Sequence, residues 1–119
     1  MLTIADKLKT IVNALEDKKA DDISILKLQS LTAIADYFVI CTGTNSPQIR
    51  AIADNVERRL RDSGVKPLGI EGIRHTQWVL MDYNDVMVHI FTEEMRDYYN
   101  IERLWIDAPS LTSEELMAS

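Results

Sequence analysis

The chain has 119 residues, 46% of them hydrophobic and 27% charged, which suits one ordinary globular domain with its own core. A net charge of −6 disfavours a broad grip on phosphate backbones and suits a basic partner. No apolar run approaches the roughly 18–20 residues that span a bilayer, so no membrane partner is expected.

Met1 to Lys7 lacks a charged lead-in followed by an apolar stretch, so secretion is not expected. A lone cysteine, Cys41, has no intrachain partner and agrees with a reducing, cytoplasmic setting. Ile4, Leu8, Ile11, Val12 and Leu15 form one apolar stripe on a helix that ends near Asp17-Lys18-Lys19. After Asp21-Asp22, the alternation of Ile23 to Leu28 reads as a strand. Asp36 to Gly43 is almost unbroken in its apolar character and predicts a central strand buried on both faces. Ser46 is placed to cap the next helix and Pro47 to open it. Ile49, Ile52, Ala53, Val56 and Leu60 line its inner side, and Gly64 suits a left-handed stop.

The last third reads as strands. Pro67 to Ile70 predicts a short one, and Gln77–Tyr83 and Val86–Phe91 two longer ones joined by a tight turn at Asn84-Asp85. A helix is predicted to start near Thr92, with a further turn over Ile101–Trp105. Residues 1–107 then make one domain, and 108–119 a flexible tail with one weak turn at Ser113–Leu116. The expected architecture is α/β: a mixed sheet of four or five strands, its two main helices on one face and the other face open to a partner.

Chemical constellations are weak. Asp36, Asp82 and Asp85 could hold magnesium, but Asp82 and Asp85 flank a turn rather than share a strand face. Gly43-Thr44-Asn45-Ser46 has one glycine and no following lysine, far from a phosphate-binding loop. Cys41 with His75 or His89 as base is opposed by the apolar strand around the thiol, and two histidines without partners at ligand spacing make no zinc site. Arg50, Arg58, Arg59 and Arg61 give one helix a basic side, read first as a solvated face and second as a minor RNA contact. No cofactor and no metal are expected.

Strict alternation groups Trp78, Leu80 and Asp82 on one face, and Met87, His89 and Phe91 on one face of the next strand. Val86, Val88 and Ile90 are all aliphatic and read as core. The mixed set has the character of a surface meant to be covered, either by a partner or by the chain's own Tyr99 or Trp105.

Ala35–Ile40, Thr42-Gly43-Thr44, Glu71-Gly72, Trp78–Tyr83, Val88–Phe91, and Arg96 with Tyr99 and Leu104-Trp105 together resemble the ribosomal silencing factor (RsfS, or Iojap) family, in order and spacing from about Ala5 to Trp105. The resemblance implies a nucleotidyltransferase-like scaffold without catalytic groups, hence no enzyme. It implies a translational repressor that binds the large ribosomal subunit through its interface protein of the L-fourteen type and blocks the small subunit under nutrient limitation. Trp78, Leu80, Asp82, Met87, His89 and Phe91 are then the expected contact face, with Glu71, Tyr83 and Arg96 as rim or support; His89 could instead orient a neighbour. Self-association of the free protein through the same face is a companion expectation. Two alternatives accompany this reading: a large-subunit assembly factor docking in the same way, and a nucleotide-binding enzyme. The chain departs from the family at Asn84, where glycine is usual, and at Asn45–Gln48, where serine and a basic residue are more frequent.

Overall fold

Thr3 opens the first helix: its Oγ accepts the Asp6 N–H at 3.0 Å, and α1 (Ile4–Asp17) follows. Its apolar stripe is fully inside, with Leu8, Ile11, Val12, Ala14 and Leu15 buried. These coordinates are a computed structural model that describes residues 2–118; Met1 and Ser119, the outer ends of the predicted domain and tail, lie outside the described residues. The chain continues through β1 (Asp21–Lys27), β2 (Tyr37–Gly43), α2 (Ser46–Asp62), β3 (Gly69–Glu71), β4 (Trp78–Asp82) and β5 (Val86–Thr92). It ends with α3 (Glu93–Tyr99), α4 (Ile101–Leu104), β6 (Ser110–Leu111) and α5 (Ser113–Ala118).

The helix cap differs from expectation. Asn45, in extended backbone, accepts the Gln48 N–H on its side-chain oxygen, and Ser46 is already helical with its hydroxyl accepting from Thr76. Asn and Ser cap about equally well, and here the extended backbone one residue earlier decides. At the other end Gly64 takes φ +84°, and Val65 N–H returns to the Leu60 carbonyl at 2.8 Å. The Asn84 turn has φ +74°, which asparagine tolerates better than other non-glycine residues.

The described residues hold one mixed sheet of six strands in the order β3-β4-β5-β2-β1-β6, one more than the upper expectation. β2 and β5 run parallel at its centre and the remaining pairs are antiparallel. The additional strand comes from the predicted tail. Ser110 and Leu111 pair with Leu26 and Ile25, and Leu116 of α5 is buried in the main core. These are tertiary contacts that no local pattern in the segment marks. One sheet face, carrying Ile25, Val39, Cys41, Val79, Met81, Val88 and Ile90, packs under α1 and α2 as the main core. The opposite face is not bare: Leu26, Phe38, Ile40 and Phe91 form a second core under Met95, Ile101 and Trp105. The reading of a layer covered on one side only is corrected accordingly.

Candidate docking face

Register assembles the second face in rows. Trp78 lies opposite Phe91, Leu80 opposite His89, and Asp82 opposite Met87. Across the parallel pair the rows continue to Thr42, Ile40 and Phe38, and on the outer side Leu80 meets Glu71. All six predicted contact residues therefore share one surface, as alternation from a single turn requires.

Exposure divides them. Trp78, Leu80, Asp82 and Met87 are half-buried, whereas Phe91 is completely covered and His89 is 4% exposed. The covering comes from the chain itself. The Trp78 indole stacks on Phe91 at 5.0 Å and meets the Tyr99 ring at 4.7 Å. Trp105 stands edge-on to Phe38 at 6.2 Å. Phe91 and His89 thus support the face from beneath, and the surface a partner can reach begins at Trp78, Leu80, Asp82 and Met87.

The three supporting residues go to different places. Glu71 is exposed and shares a shallow groove with Leu68, Gly69, Leu80 and Asp82. Tyr83 cannot form a rim on this face: its parity is that of Val79 and Met81, and it lies buried in the core under the helices. Burial there, with the Glu57 carboxylate nearby, holds its phenol well above the usual range. Arg96 ties elements together. Its guanidinium donates to Glu102 at 2.9 Å, to the Asp22 carbonyl at 2.7 Å and to the Thr42 hydroxyl at 2.9 Å, joining α3 and α4 to β1 and β2. Neither α3 nor α4 contains a fully buried residue, so this clamp adds to the partial packing of Met95 and Ile101 on the second core. Arg96→Ala is expected to cost about 2 kcal/mol and to raise amide hydrogen exchange across residues 93–105, with α1 and α2 unchanged; uniform protection throughout would refute the clamp.

Leu68 escaped the sequence reading. It is 72% exposed beside the groove; the sequence reading absorbs it into the short strand Pro67–Ile70, whereas β3 begins only at Gly69.

The weaker constellations acquire structural roles. Asp85 pairs with Lys7 at 2.7 Å and Asp82 accepts the Asn84 N–H at 2.8 Å. Among the described residues no group of three or more His, Cys, Asp or Glu could hold a metal ion. Cys41 faces the helices and His89 the opposite side of the sheet, and burial pushes the Cys41 thiol up to about 12. The Thr44 N–H that an anion would need is taken by Gln48 Oε1 at 2.6 Å. Gln48 Nε2 also holds the Lys18 and Lys19 carbonyls. On α2, Arg58 donates to Asn55 and Arg59 to Asp17, so part of the basic side is bound within the chain. No helix among the described residues is long and apolar enough to cross a membrane.

Comparison with known proteins gives a consistent result. A family model described as "Ribosomal silencing factor during starvation" matches residues 2–119. A ribosomal silencing factor from Halalkalibacterium halodurans is 39% identical over 111 residues, covering 93% of this chain and 95% of that one. One from Bacillus subtilis is 41% identical over 102 residues, 86% of each. Among solved structures, a crystal structure of a Chromobacterium violaceum protein superimposes with a TM-score of 0.85 at 38% identity, covering 87% of both chains.

Proposed function

The chain belongs to the ribosomal silencing factor family, and from that premise we propose that it docks on the large ribosomal subunit through the Trp78 face and sterically prevents the small subunit from joining. Membership makes it a ribosome-associated regulator of translation rather than a known type of enzyme. The docking partner in this reading is the interface protein of the L-fourteen type, with at most a minor ribosomal RNA contact, and the setting is the cytoplasm.

The observation that carries the reading is the half-open strip Trp78, Leu80, Asp82 and Met87, continued by the exposed Leu68 and Glu71. An aromatic anchor set among aliphatic neighbours with carboxylates at the edge has the composition of an interface centre and rim. The carboxylates and the overall charge of −6 match a basic partner and speed encounter with it. A face of about 800 Å² suffices for a specific complex, and steric exclusion needs no chemistry beyond occupancy. The free protein would use the same strip to self-associate.

The test is sedimentation of purified large subunits with the unaltered chain, Trp78→Ala and Leu68→Asp, followed by addition of small subunits. The unaltered chain should co-sediment and block joining. Trp78→Ala should bind roughly thirtyfold more weakly, the loss of about 2 kcal/mol expected for a central anchor. Leu68→Asp alters an exposed side chain, so its loss of binding would report on docking rather than on folding. Failure of the unaltered chain to bind large subunits would overturn the reading.

A further inference from the structure

The centre of the docking face contains a polar contact that its packing does not require. The Trp78 indole N–H donates to His89 Nδ1 at 3.1 Å, while the imidazole lies 4.5 Å from the Phe38 ring and is nearly parallel to Phe91. His89 Nε2 is buried without a hydrogen-bond partner. Accepting at Nδ1 requires the proton on Nε2, which leaves that N–H stranded among aromatic rings. A buried unpaired donor is costly, and an aliphatic side chain between Leu80 and Ile40 would avoid the cost. What the imidazole supplies, and an aliphatic group could not, is the acceptor for Trp78.

We propose that His89 is the positioning residue of the docking face, its Nδ1 holding the Trp78 indole in the single orientation that the ribosomal partner meets. The inference rests on the docking reading above and assigns His89 no contact with the partner. The indole already has Phe91 and Tyr99 rings beside it, but stacking alone leaves the edge that carries its N–H undefined. The hydrogen bond defines it. An anchor set before binding does not have to be ordered on binding, which is how preorganisation strengthens a complex. Burial favours the neutral ring that this role needs, with a pKa lowered to about 4.

The test compares His89→Asn with His89→Leu in the full chain. Asparagine branches at the same atom and can return an oxygen near the Nδ1 position, while leucine fills the space and accepts nothing. Two readouts are taken: the Trp78 indole proton resonance, assigned against Trp105→Phe, and co-sedimentation with large subunits. His89→Asn should keep a hydrogen-bonded indole resonance and bind within about threefold of the unaltered chain. His89→Leu should be at least as stable to heat, show a shifted indole resonance, and bind about tenfold more weakly. His89→Ile serves as the acceptor-free variant should leucine prevent folding. If an acceptor-free variant binds like the unaltered chain, or if His89→Asn binds as weakly as His89→Leu, the positioning role is wrong while docking stands. If the unaltered chain does not bind, both are overturned.

Discussion

Gly72→Ala is expected to destabilise the domain by about 3 kcal/mol or more. Two causes act together. Gly72 has φ +84°, and a Cβ built there would lie 2.0 Å from the Trp78 carbonyl oxygen. That neighbour is backbone in the first residue of β4, held in register by Phe91, so it cannot move without disturbing the sheet. The Gly72 carbonyl also accepts from the His75 and Thr76 N–H groups, which fixes the loop leading into Trp78. The substitution should therefore weaken both folding and docking. Chemical denaturation of three alanine variants provides the control. Gly64 has the same φ but open space around it, so alanine there should cost about 1 kcal/mol. Gly69 has neither a positive φ nor a near neighbour, so its cost should fall within about 0.5 kcal/mol. Equal effects at Gly72 and Gly64 would show that the Trp78 carbonyl does not matter.

Mild acid should produce the second large effect, through His89. Burial lowers its pKa from 6.5 to about 4. Between those two values the unfolded chain takes up a proton that the folded chain refuses, so stability is full above pH 6.5 and falls as the pH drops towards 4. Each pH unit between the two pKa values is worth about 1.4 kcal/mol, so the loss from this group approaches roughly 3 kcal/mol. Urea denaturation at pH 7, 5.5 and 4.5 would measure it. The decisive comparison is with His89→Leu, whose stability should depend less steeply on pH by about that amount. Parallel curves for the two proteins would rule His89 out as the source.

Much of this fold could be read from local pattern because the elements that matter most bury one regular stripe each. The helical spacing of Leu8, Ile11, Val12 and Leu15, and of Ile49, Ile52, Val56 and Leu60, corresponds to the buried sides of α1 and α2. The parity of Trp78, Leu80 and Asp82 against Met87, His89 and Phe91 needed only a tight turn at Asn84 to become one shared surface. What remained hidden depends on contacts between distant segments. Ser110 and Leu111 carry no strand pattern and become a strand because β1 offers a free edge. Trp105 and Tyr99 are candidate covers from the sequence, but Met95 and Ile101 sit on two short helices, so no periodic stripe announces that they join Trp105 over Phe38 and Phe91. Alternation can state which face His89 points to, but not that Phe38, Trp78 and Phe91 close around it.

The parallel contact at the middle of the sheet also governs how the chain can be made. Tyr37 pairs with Val86 and Gly43 with Thr92, so β2 meets its inner neighbour only after α2, β3 and β4 have been synthesised. Closing a loop of about fifty residues costs entropy before the strand contacts compensate, so this contact is expected to form late in folding. Until then, β1 and β2 can form an antiparallel pair whose inner edge displays unpaired backbone groups, a template for aggregation. At synthesis rates of about 5–20 residues per second, the nascent chain carries that open edge for roughly 3–10 s.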